Sequence, residues 1–134
     1  MMMIDDIPAH LAAPMPALPH CTIAGAAPET RRMADLPPPV RRALQGAVGG
    51  RIAEAGAPFN VSDIVKSDSP PQTRFLRAYR VRSLWLVWVE QGGIGHRYRV
   101  LAFRDVAHGG IAPVTVPDTR PSNLCAASQV LARR

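Results

Sequence analysis

Three runs decide the fold: FLRAYRVR at 75–82, LWLVWVE at 84–90 and HRYRVLAFR at 96–104. Each is short and rich in Val, Leu and aromatic residues, and the loop QGGIG at 91–95 supplies a glycine-rich turn between the last two, so the segment reads as an antiparallel β-meander. A two-residue turn at Arg82 and Ser83 sets Val81 opposite Leu84, Tyr79 opposite Leu86 and Arg77 opposite Trp88. A five-residue loop sets Glu90 opposite His96, Trp88 opposite Tyr98 and Leu86 opposite Val100. This register sorts the side chains into two faces. The first carries Phe75, Tyr79, Val81, Leu84, Leu86, Trp88, Tyr98, Val100 and Ala102, the face expected under a helix. The second carries Leu76, Ala78, Trp85, Val87, Val89, Leu101 and Phe103, with Arg80, Arg82, Arg97 and Arg99 at neighbouring positions. The middle run is apolar on both faces, as a central strand covered on each side should be.

Upstream, Val40, Leu44, Val48 and Ile52 recur every four residues, with Ala43, Ala47 and Ala55 widening the stripe, the pattern of an amphipathic helix. Pro39 suits its first position, Gly56 the left-handed position past its end, and Pro58 prevents continuation. Gly46, Gly49 and Gly50 each cost about 1 kcal/mol relative to alanine inside a helix, which suggests close approach to the sheet. Residues 59–66 fit either a short strand or a helical turn capped by Ser62, and Asn60, Val61 and Ser62 form a glycosylation sequon. Residues 67–72, with Pro70 and Pro71, read as a loop. Downstream, 108–110 reads as a turn, 111–116 as an edge strand interrupted by Pro113, and 117–121 as coil. Ser122 or Asn123 can cap a short C-terminal helix that puts Leu124, Ala127, Ser128 and Leu131 on one side and Arg133 and Arg134 at its end. That helix is the candidate cover for the second face. Residues 1–36 show no period and read as an extended, partly disordered Ala/Pro-rich arm. The expected whole is that arm followed by a single α+β domain over 37–134: an amphipathic helix packed on a three- to four-stranded antiparallel meander, with a short C-terminal helix.

A chain of 134 residues, 47% hydrophobic and 19% charged, has the size and balance of one globular core. Its net charge of +6 is concentrated: between Arg74 and Arg104 seven arginines face Glu90 alone. Such a field attracts acidic protein surfaces, nucleic acid or anionic lipid. Lys66 is the only lysine beside fifteen arginines, so arginine placement carries more information than arginine number. No stretch approaches the roughly 20 apolar residues of a membrane span, which argues against membrane insertion. Asp5 and Asp6 stand where a signal peptide carries positive charge, and Pro14, Pro16 and Pro19 interrupt the apolar run. The sequence as it stands therefore reads as cytoplasmic, or as exported if a signal peptide precedes it or has been removed. Cys21 and Cys125 allow one disulfide bridge between arm and C-terminus, or two unrelated thiols.

Glu90 and His96 are the one carboxylate–imidazole pair that the register brings together, so they form a candidate general base, or an ion pair closing a hairpin. No nucleophile motif accompanies them. Gly92, Gly93 and Gly95 link strand to strand and not strand to helix, which fits a turn and not a phosphate loop. No metal-ligand spacing occurs, and His10, His20 and His108 read as loop histidines. Arg77 opposite Trp88 suits a cation–π contact. The leading expectation is a non-enzymatic protein-interaction domain that uses Arg80, Arg82, Trp85, Arg97 and Arg99 to meet an acidic protein surface or a second copy of itself, without cofactor. Nucleic-acid binding by the arginine-bordered sheet, with Trp85 and Phe103 to stack, is the alternative. A small enzyme using Glu90 and His96 is the third reading.

Overall fold

The computed structural model describes residues 14–93, 95–106, 109–114 and 123–134. It shows an α+β fold: α1 (Pro38–Val48), then β1 (Thr73–Val81), β2 (Leu84–Gln91), β3 (Arg97–Asp105) and β4 (Ile111–Val114), then α2 (Leu124–Ala132). The strands form one antiparallel sheet in chain order. His10, His108, the end of the expected edge strand at 115–116, the 117–121 coil and Ser122 lie outside the described residues. No helix among the described residues is long and apolar enough to cross a membrane.

The first hairpin has the expected register as far back as Arg77 opposite Trp88. A β-bulge then intervenes, since Phe75 pairs with Val89 and Arg74 with Glu90. The extra residue, Leu76, slips the start of β1 by one position, and a one-residue slip exchanges faces. Phe75 and Leu76 accordingly stand on the faces opposite to those expected. In the second hairpin Glu90 pairs with Tyr98, Trp88 with Val100 and Leu86 with Ala102. The expected pairing is thus displaced by two residues, which keeps each side chain on its expected face but puts Arg99 opposite Val89.

The two covers are interchanged. Leu36, Val40 and Leu44 pack on the Phe75, Trp85, Val87, Val89 and Phe103 face. Leu124, Leu131 and Ala132 pack on the Tyr79, Leu86, Trp88 and Val100 face, together with Cys21 and Ile23. Inside the second of these interfaces, the buried Trp88 indole donates to the Ser128 hydroxyl at 2.8 Å, which satisfies the one polar atom of that ring. Both faces of β2 are therefore covered by the chain itself, and the whole strand is buried up to Gln91.

Helix α1 begins with Pro38 and Pro39 in its first turn, where a missing N–H costs nothing. It stops at Gly49, whose left-handed φ of 82° lets its N–H reach the Gln45 carbonyl. The expected continuation to Gly56 does not occur, and Ile52 is buried from a loop instead. Nor do Gly46, Gly49 and Gly50 mark a close approach to the sheet, because a Cβ at any of them would meet nothing within 4 Å. Residues 59–66 form neither a strand nor a capped turn. The Asn60 side chain organises them: its amide donates to the Ile64 carbonyl, and its oxygen accepts from the Ser62 N–H and hydroxyl. Asn60 is 1% exposed, so the sequon asparagine has no room for a glycan. In α2, Asn123 makes no side-chain cap bond.

Residues 14–32 run along the sheet with a turn at Ala24 and Gly25, and a short 3-10 helix, Met33–Asp35, leads into α1. Ala26 bridges Val81 and Thr30 bridges Ala78, while Ala53 bridges Arg74 farther back along the same strand. These bridges occupy the open edge of β1, which would otherwise invite another chain. Cys21 and Cys125 are joined by a disulfide with a Cα separation of 5.5 Å. Arg82, at the first turn, is the one described non-glycine residue with positive φ, at 56°, a conformation costing about 1 kcal/mol for a residue with a Cβ.

Candidate functional site

The carboxylate–imidazole pair lies near the β2–β3 turn. His96 Nε2 is 2.7 Å from Glu90 Oε2, even though Tyr98 and not His96 is the cross-strand partner. The carboxylate is already saturated. The Arg74 guanidinium donates Nη2–H and Nε–H to Oε1 at 2.5 and 3.2 Å, and the Tyr98 hydroxyl donates to Oε2 at 3.1 Å. Arg74 is 1% and Glu90 3% exposed. Arg74 also donates to the Pro14 carbonyl and lies 4.6 Å over the Phe59 ring. Burial raises the Tyr98 hydroxyl above its ordinary pKa, and the Glu90 charge adds to the effect. Sequence reasoning missed Arg74, because only the bulge carries it onto the face of Glu90. This is a buried ion pair with its lone pairs satisfied, which holds β1 to β2. No Ser, Thr or Cys among the described residues hydrogen-bonds His96.

A second network ties the arm to the sheet. Arg77 pairs with Glu29, donates to the Pro19 carbonyl and the Tyr79 hydroxyl, and stands 5.4 Å over Trp88. The Tyr79 hydroxyl donates to Glu29. Burial pushes the Glu29 carboxyl up, but the Arg31 hydrogen bond, the Arg77 charge and the Tyr79 hydroxyl outweigh it and hold the group below its usual range. Burial is also the main cause of the raised Tyr79 hydroxyl.

The expected binding residues are not brought together. Trp85 and Phe103 are buried under α1. Arg80 stands 5.5 Å over Trp85 and pairs with Asp105. Arg97 and Arg99 donate to Gln91 at the far end of the sheet. Arg99 borders a small pocket of about 230 Å³ with Ala47, Phe103 and Pro113, and Arg82 faces a larger concavity. Arg82 borders a groove of about 750 Å³ between the turn at residues 22–25, the end of β1 and the last turn of α2, with Ile23, Val81 and Ala132 in the lining and Arg133 as its second cation. The disulfide and a 2.8 Å bond from the Gln129 amide to the Thr22 carbonyl pin the two walls.

A smaller pocket of about 240 Å³ adjoins the groove, sharing Val81, Arg82 and Ala132 with it and adding Ser83, Arg104 and Arg134. Arg31, Arg74, Arg77 and Arg80 each have a carboxylate partner. Among the described residues Arg82, Arg104, Arg133 and Arg134 have none within 4.0 Å, as is also true of Arg32, Arg41, Arg42 and Arg51, but only the first four border these two pockets. Sequence reasoning found Arg82 and saw Arg133 and Arg134 only as a helix end. What unites the four is the docking of α2 beside the first turn. No family model, curated protein or solved structure matches the chain.

Proposed function

We propose that this chain is a non-enzymatic interaction domain that grips an acidic protein segment in the groove between residues 22–25 and the end of α2. The observation that carries the reading is the convergence of four arginines without carboxylate partners on that end of the molecule, around a cleft with apolar lining. An apolar floor with a cationic rim favours an extended segment that brings both apolar and acidic side chains. The sheet offers no comparable surface: α1 covers one face, α2 and the arm cover the other, and Trp85 and Phe103 are not presented for base stacking. A saturated Glu90 likewise does not favour catalysis by His96.

The test is fluorescence anisotropy of a labelled peptide with alternating glutamate and leucine, with a single-stranded oligonucleotide of equal charge as the competing polyanion. Arg82→Glu with Arg133→Glu should weaken peptide binding about a hundredfold, as expected for two charge-assisted contacts turned repulsive, while the melting temperature stays within a few degrees. Equal peptide affinity in wild type and double variant overturns the reading. Tight oligonucleotide binding without peptide binding transfers it to nucleic acid.

A further inference from the structure

We propose that the small pocket beside the Arg82–Ser83 turn is a site for one tetrahedral oxyanion, phosphate or sulfate, either free or as the terminal group of an ester. The inference rests on the same arginines as the proposed function and narrows the chemistry of the group they hold.

Three elements build the pocket. Arg82 and Ser83 come from the β1–β2 turn, Arg104 from β3 opposite Leu84, and Arg134 from the end of α2. The Arg82 and Arg104 guanidinium groups and the Ser83 hydroxyl, with Arg134 also in the lining, offer donors from several directions, and no Asp or Glu lines the pocket, which suits an oxyanion with several equivalent oxygens. The bonds these arginines do make are long: Arg82 donates to the Ala132 carbonyl at 3.3 Å and Arg104 to the Ser83 hydroxyl at 3.5 Å. Both are positioned by these contacts without being used up by them. The carboxylate next in sequence, Asp105, sits on the opposite face of β3, where Arg80 engages it. A volume of about 240 Å³ corresponds to roughly eight waters' share of liquid, room for one such ion with part of its hydration and not for a length of chain.

The backbone supplies a second, independent observation. Arg82 holds a left-handed φ of 56° at a turn position where glycine or asparagine would be relaxed. Strain of this kind gathers at functional sites. Here it keeps a guanidinium at the pocket mouth where a relaxed residue would supply no charge.

Inorganic phosphate and O-phosphoserine are titrated separately into the whole chain, followed by backbone amide NMR, with sodium chloride at matched ionic strength as reference. Saturable shifts at Ser83, Leu84, Arg104 and Arg134 are expected with the oxyanions and not with chloride. Arg104→Gln with Arg134→Gln should weaken the site roughly tenfold or more. Arg82→Gly should weaken it while raising the melting temperature, which a purely structural arginine would not do. Response to phosphate alone assigns a free-ion site, and response to both ligands assigns an ester-compatible one. Shifts that chloride reproduces, or that survive Arg104→Gln with Arg134→Gln unchanged, overturn the inference. Acidic-peptide binding without oxyanion binding would remove this inference and leave the proposed function standing, and the converse would do the opposite.

Discussion

Gly92 has no room for a side chain. A Cβ there would come within 2.3 Å of the Asn60 carbonyl oxygen and 2.7 Å of the Val61 Cα, both backbone atoms of a loop that Asn60 holds in place. Gly92→Ala should therefore destabilise by about 3 kcal/mol, the upper end for overpacking a site that cannot yield, seen as a lower midpoint in urea denaturation. Gly46, inside α1 with open space where its Cβ would be, should behave oppositely: Gly46→Ala should stabilise by about 1 kcal/mol through helix propensity alone. The pair separates two uses of glycine that look alike in a sequence. A turn between strands was legible at residues 91–95 from composition, but the constraint at Gly92 comes from a loop thirty residues earlier in the chain, and no local pattern announces it.

The bulge at Leu76 determines what β1 contributes to each side of the sheet. It turns Phe75 toward α1 and brings Arg74 over Glu90, so that one unpaired residue inserts a buried ion pair at the start of the sheet. Arg74→Met alone should cost roughly 3–5 kcal/mol, because it leaves the Glu90 carboxylate buried without its cation, while Arg74→Met combined with Glu90→Leu should recover much of that loss. A thermal melt of the two variants checks both signs, and equal loss in both would show that the network acts through packing and not charge. The meander, its first turn and both helices could be read from apolar periodicity. The bulge could not, since it depends on which face Arg74 must reach and on the bridge that Ala53 makes to Arg74 from outside the hairpin. The exchange of covers has a similar origin. Both faces of β2 are apolar, and the connection from Gly49 to Gln72 is long enough to bring α1 to either one.

Across the whole molecule, the disulfide joins residues 104 apart in sequence and clamps the arm, the sheet and α2 at one point. In the chain-entropy account a loop of this length is worth about 4.7 kcal/mol, so reductant should lower the melting temperature by several degrees or more, whereas Cys21→Ser with Cys125→Ser should melt lower and be insensitive to reductant. The sequence allowed the bridge without requiring it, because only the packed arm shows the two thiols to be neighbours. Composition made residues 14–36 look loose, yet Cys21, Ile23 and Leu36 are buried. Alanine and proline there are compatible with a path that is fixed by the sheet and the disulfide more than by contacts within the segment. The same bridge also redirects mechanical load. A pull applied near residues 14 and 134 passes from Cys21 through the sulfurs to Cys125, bypassing α1 and every strand. With the bond intact the sheet bears little of the tension. Severing it would release roughly 360 Å of hidden contour at about 3.5 Å per residue, and only then would the strands be drawn apart.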